Sequence, residues 1–140
     1  MTQRHSSSKH KGDWAEQAAR QWLQQRGFRI EAYNVRYRVG EIDIVAWEQE
    51  VLCFVEVRSR QTDRLIVPAT TVRHVKQQRI IRAASTYMQR HFANKSLPSC
   101  RFDVVSVVGY DNSHRIWHIR SAFEQSGASS NQQGGPWPVC

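Results

Sequence analysis

Apolar residues in this chain first recur at helical spacing. Trp14, Ala15, Ala18, Ala19, Trp22 and Leu23 form a single stripe. Asp13 as N-cap and Gly27 as a left-handed stop predict a helix from about Trp14 to Arg26. Beyond it the period shortens. Residues 28–38 are β-prone and end at Gly40, and EIDIVAWE (41–48) and VLCFVEVRSR (51–60) read as a hairpin across a short polar turn. The helical period returns between Thr71 and Phe92. From Ile80 onward it puts Ile80, Ala84, Tyr87, Met88 and His91 on one face, with Arg79, Arg82, Thr86 and Gln89 opposite. CRFDVVSVVG (100–109) reads as a buried strand, apolar on both faces. A last strand near Ile116–Ile119 leads into a helical turn at Ser121–Gln125. The expected fold class is α/β, a mixed β-sheet flanked by helices in the order αβββαβ(β).

The hairpin carries the chemistry. A turn centred between Gln49 and Glu50 pairs Glu48 with Val51, Trp47 with Leu52 and Asp43 with Glu56. Opposed residues project from one face with β-carbons about 4.5–5.5 Å apart. The period of two adds Glu41 and Arg58 to that face and sends Ile42, Ile44, Ala46, Cys53, Val55 and Val57 to an apolar one. Opposed like charges destabilise a sheet. Two carboxylates this close either share a proton or hold a hard cation such as Mg²⁺. The plainer alternative is a salt-bridge ladder in which Arg58 ties Glu41 to Glu56.

Charge narrows the partner. The 140 residues hold 20 Lys and Arg against 12 acids, a formal net charge of +8. Nine of the basic residues lie between Arg58 and Lys95, alongside one acid, Asp63, whereas eight acids lie between Asp13 and Glu56. A basic half beside an acidic centre suits a polyanion approached by a cation-holding site, although a merely basic surface has the same composition. No stretch approaches the roughly 20 apolar residues of a membrane span. The polar start, MTQRHSSSKHK, has no signal-peptide core, so a cytoplasmic protein is expected. Residues 1–11 read as a disordered basic tail, 12–125 as the folded domain and 126–140 as a disordered C-terminal tail. Three cysteines without a Cys-x-x-Cys pair suggest no structural zinc site. His114 and His118 are four apart on a strand, about 13 Å, too far to share a metal.

Asp43 followed by Glu56-Val57-Arg58 after an apolar strand resembles the PD-(D/E)xK nuclease pattern. More closely, Gly12-Asp13-x-x-Glu16-x-x-Ala19, Gly40-Glu41-Ile42-Asp43, Phe54-Val55-Glu56-Val57-Arg58 and Cys100-Arg101-Phe102-Asp103 resemble the YraN-like family. That family is largely uncharacterised. It is assigned a restriction-endonuclease-like fold through its similarity to Holliday-junction resolvases. The resemblance spans about residues 12–125.

The resemblance implies a metal-dependent nuclease acting on DNA, branched DNA included. Asp43 and Glu56 would hold Mg²⁺ or Mn²⁺, Glu16 would be the helix-borne acid of the site, and Arg58 would stand where the superfamily has lysine. Glu16 has a second reading, because Asp13-x-x-Glu16 is also a capping-box spacing. Arginine stays protonated, so Arg58 would hold phosphate and not act as a base. Arg60, Arg64, Arg73, Lys76, Arg79 and Arg82 would grip the nucleic-acid backbone. A homodimer is a further expectation, as junction-cutting relatives act as dimers. Asp103 reads as a structural partner of Arg101. Two alternatives stand beside the nuclease: a catalytically inactive nucleic-acid-binding module of the same fold, and a protein-binding adaptor.

Overall fold

A computed structural model describes residues 4–60, 74–109 and 111–125, with residues 4–11 and 111 as backbone only. Arg64, Arg73, the start of the second helix and the C-terminal tail lie outside the described residues. The elements run α1 (Arg4–Gln25), β1 (Arg29–Tyr37), β2 (Gly40–Glu48), β3 (Val51–Arg60), α2 (His74–Phe92), β4 (Cys100–Val108), a short 3₁₀ turn (Asp111–Ser113) and β5 (Arg115–Phe123). Five strands form one sheet in the order β1-β2-β3-β4-β5. Every neighbouring pair is antiparallel except β3–β4, where α2 is the crossover. This is the α/β arrangement of a restriction-endonuclease-like fold.

The helix α1 starts at Arg4, ten residues before its apolar stripe begins. Residues 4–11 offer no apolar position to mark a helix, but they contain no proline, and extending a formed helix costs far less than starting one. Asp13 is therefore inside α1 and is not its cap. At the other end Gly27 ends the helix as expected. It takes φ +88° while its N–H donates to Gln24 and that of Phe28 to Leu23, a Schellman closure.

Both faces of the sheet are covered. Ala15, Ala19 and Leu23 of α1 pack on Ile44, Ala46, Cys53, Val55, Val105 and Val107. On the other face Ile80, Ile81, Ala83, Ala84, Tyr87 and Met88 of α2 pack on Val45, Leu52, Phe54, Phe102 and Val104. His91 is exposed and stacks on Tyr87, 4.1 Å between centroids, so it belongs to the rim of α2 and not to its buried stripe.

The hairpin register is the expected one from Glu48↔Val51 to Ile44↔Val55, around a turn where Gln49 takes φ +53°. There the β2–β3 ladder stops. β2 continues to pair with β1 through Val35↔Ile42, and Asn34 opposite Asp43 takes φ +50°. The two strands part at Asp43, and Ile42 joins the α2 cluster. The expected face shared by Ile42 and Ile44 is thus broken, because alternation holds only while the ladder does.

Gly40 shows where the freed end of the β1–β2 hairpin goes. A β-carbon there would stand 2.9 Å from the carbonyl carbon of Arg79 and closer still to its oxygen. Only a glycine lets α2 approach this far. Gly40→Ala must displace backbone, so it should lower stability by about 1–3 kcal/mol in a denaturant titration.

The end of β5 also differs from expectation. No helical turn forms at Ser121. The strand runs on to Phe123, and Ser121 bulges with φ +49° between the pairs Val104↔Ile119 and Phe102↔Phe123. The bulge turns the Ser121 N–H onto Asp103, 3.0 Å away, which a helical turn would not do.

Candidate functional site

Parting the strands leaves backbone donors of β3 without a ladder partner, and the Asp43 carboxylate replaces one. The Val57 N–H donates to Asp43 Oδ2 at 2.8 Å. This ties Asp43 to β3 and brings its carboxyl within hydrogen-bonding reach of the Glu56 carboxyl. Glu56, 5% exposed, is one of two buried charged side chains among the described residues, the other being Asp103. Burial, followed by the charge of Glu56, pushes the Asp43 carboxyl up to about 8 against the pull of the Val57 N–H. The two acids on the strands approach each other, but beyond the end of the ladder and not as the expected opposed pair.

Glu16, on α1, is near enough to feel the charge of Glu56. Its carboxyl is held above the usual range by burial first, then by Asp13, with Glu41 and Glu56 adding and Arg20 opposing. Since α1 begins at Arg4, the capping-box reading of Glu16 is excluded. Glu41 is exposed and pairs with Arg36 at 3.7 Å, its neighbour across the β1–β2 ladder. It therefore does not form the expected pair opposite Arg58. Arg58 is half-buried, two residues beyond Glu56. Its pKa is lowered by desolvation and by Arg60, with Glu56 opposing.

The counter-charge on the acidic pair comes from α2. The Lys76 ammonium forms an ion pair with Glu56 Oε1. Lys76 precedes Ile80 by four and Ala83 by seven, so it stands on the same side of α2 as the buried stripe, but its side chain is exposed and nothing in the sequence says which acid it meets.

A cleft of about 860 Å³ opens over Glu56, between the freed end of the hairpin (Arg36–Glu41) and the start of α2 (Val75, Lys76, Arg79, Ile80). Arg79 and Arg82 are exposed along α2, and Arg60 is half-buried at the end of β3. No group of three or more His, Cys, Asp or Glu among the described residues is arranged as a ready metal cage. The donors that are present suit a hard cation. Mg²⁺ needs only one or two carboxylates when water and phosphate supply the rest, and Asp43 and Glu56 are two that approach each other.

A second charged cluster lies on the α1 face and is legible in the sequence only in part. Asp103 is bound by Arg101 Nε at 2.9 and 3.1 Å, and His118 Nε2 lies 2.8 Å away. Arg101 also reaches Glu48 at 3.1 Å, and Arg120 pairs with the same carboxylate. His118 is closed in by Trp22 and Phe28, and Trp14 stands edge-on to His114. The cluster joins the hairpin turn, β4 and β5.

The comparisons agree with the motifs. The model of the Uncharacterised protein family UPF0102 matches residues 15–107. UPF0102 protein STH1475 of Symbiobacterium thermophilum is 44% identical over 117 residues, 83% of this chain and 98% of the relative. The chain belongs to this family, the YraN-like group. A UPF0102 protein of Nitrosomonas europaea is 40% identical over 121 residues, covering 86% of this chain and 99% of the relative. One from Nitrosococcus oceani is 38% identical over 118 residues, 84% of this chain and 94% of the relative. The matched span contains Glu16, Asp43, Glu56, Arg58 and Lys76. Among the described residues no helix is long and apolar enough to cross a membrane.

Proposed function

We infer that the chain hydrolyses phosphodiester bonds in DNA, using a Mg²⁺ or Mn²⁺ ion held by Asp43 and Glu56. The observation that carries this reading is the approach of the Asp43 carboxyl to that of Glu56, which itself lines a cleft rimmed by cations. Leaving two acids in contact is costly, and the cost is recovered when a cation sits between them. Such an ion, when bound, polarises the phosphodiester and activates water.

The chain's own groups supply the rest. Glu16, whose carboxyl is already raised, faces the pair from α1 and would accept a hydrogen bond from the attacking water. Lys76 and Arg58 flank Glu56 and would meet the charge that builds on the phosphate oxygens. Arg60, Arg79 and Arg82, with Arg64 and Arg73, would hold the backbone without reading bases. The test is a cleavage screen on linear and branched DNA with Mg²⁺ and Mn²⁺, comparing wild type with Asp43→Ala. Product from both proteins, or from neither, would remove the nuclease reading.

Arginine in the superfamily's lysine position favours a second reading, a binding module without turnover. Lys76 on Glu56 weighs against it, because the ammonium missing from β3 is supplied by α2. Lys76→Ala should therefore cut the cleavage rate about a hundredfold, measured under single-turnover conditions. Arg79→Ala should weaken binding and leave the chemical step almost intact. Both DNA readings predict steep salt dependence. If about six phosphates are neutralised, affinity falls about three decades between 50 and 200 mM salt. A flat response in a filter-binding titration would point to an acidic protein as the partner instead.

A further inference from the structure

The strand register places a second feature beside the acidic pair. Glu56 stands in a row with Val104 and Ile119, and the next row on the same face is Arg58, Ser106 and Trp117. The row after that is Arg60, Val108 and Arg115. The face is the α2 side, since Phe54, Val104 and Ile119 all belong to the cluster under that helix. Trp117 is 54% exposed on it, one of four exposed large hydrophobics among the described residues. The indole is thus left half in solvent on the edge strand, on a face that also carries Arg58, Arg60 and Arg115. From the spacing of strands and residues, its α-carbon is about 12 Å from that of Glu56.

We propose that Trp117 is a stacking platform for an unpaired base next to the scissile phosphate, so that the preferred substrate carries single-stranded nucleotides at the cleavage point. The argument deepens the nuclease reading, and its substrate class rests on that reading. Base and indole stack through their π-faces whatever the base, while the arginines of the same face hold the backbone, the combination that single-strand binding surfaces use. In a paired duplex the base faces are buried in the stack, so the indole finds no partner. Ser106, small and polar between Arg58 and Trp117, leaves the row low enough for a base to lie on it.

The experiment measures binding in metal-free buffer, so it is independent of whether the protein cuts. Fluorescence anisotropy compares an oligothymidylate, the same oligomer with abasic sites and a blunt duplex, each against wild type, Trp117→Ala and Trp117→Phe. Trp117→Ala should weaken oligothymidylate binding roughly ten- to a hundredfold, change duplex and abasic binding less than about twofold, and be largely rescued by Trp117→Phe. Equal weakening of all three ligands, or of none, overturns the proposal. So does unchanged oligothymidylate binding together with a shift from dimer to monomer in sedimentation, which would make Trp117 a contact between two copies. Loss of cleavage with Asp43→Ala and retention of base-dependent binding would be two separate results.

Discussion

Asp43→Asn should yield a protein that cuts DNA at least a thousandfold more slowly and yet unfolds at a higher temperature in metal-free buffer. The rate follows from removing a ligand of an ion expected to contribute several kcal/mol to the transition state, with each 1.4 kcal/mol worth a factor of ten. The stability follows from the cost of the pair. The side-chain amide that replaces the carboxyl retains an oxygen to accept the Val57 N–H, and it keeps an N–H to donate to Glu56 above about pH 8, where Asp43 loses its proton and two carboxylates repel, so the gain in unfolding temperature is read at that pH. The pH dependence gives the sign. Asp43 titrates near 8 when folded and near 4 when unfolded, so between those limits the folded state holds the extra proton. Wild-type stability therefore falls as pH rises through this window, by up to about 1.4 kcal/mol per pH unit from this group. The substitution should flatten that slope. Thermal scans at about pH 5.5 and pH 8.5 would show it. Saturating Mg²⁺ should restore wild type, by about 2.7 kcal/mol at a hundred times Kd, and leave Asp43→Asn unmoved. A variant that cuts at the wild-type rate would end the case for Asp43 as a metal ligand.

How far the site is legible in the sequence depends on what kind of interaction places each residue. Hairpin register is a local matter of turn and alternation, and Glu48↔Val51 through Ile44↔Val55 can be counted from the sequence. The parting at Asp43 cannot, since it depends on β1 keeping Ile42 while a side chain takes the Val57 N–H. For the same reason the face expected for Ile42 is wrong, whereas those of Ile44 and Val55 are right. Glu16 has two local readings, and only the start of α1 decides between them. Lys76 is an exposed cation of α2 like Arg79 and Arg82, and its partner is 20 residues away across a crossover. The bulge at Ser121 is hidden because it exists for Asp103, a residue on another strand. Fold class follows from periodicity, whereas the acidic pair is only pointed at by it, since the ladder ends one pair short of Asp43. The cations and the breaks in the ladder follow from tertiary contacts.

The largest stability effect is expected on the face away from the cleft. Asp103 is fully buried, and burial alone would raise its pKa. Hydrogen bonds from His118, Arg101 and the Ser121 N–H, with the Arg101 charge, outweigh that and hold it below the usual carboxylate range. Its contribution is therefore present above about pH 4 and is lost as pH falls through the depressed folded value. Asp103→Ala strips Arg101 of all but its Glu48 contact and leaves the Ser121 N–H without its acceptor. Breaking a buried ion pair from one side costs about 3–5 kcal/mol. For a domain of this size that is a drop in Tm of roughly 10–20 °C. Much of the cost is the stranded guanidinium and not the lost attraction, so Arg101→Met added to Asp103→Ala should cost little further and can recover part of the loss. The sheet separates this cluster from Glu56, so the cleavage rate per folded molecule should stay within about threefold at low temperature. Calorimetry and single-turnover assays on the two variants would separate the effects. A stable Asp103→Ala protein that no longer cuts would move Asp103 from the scaffold into the site.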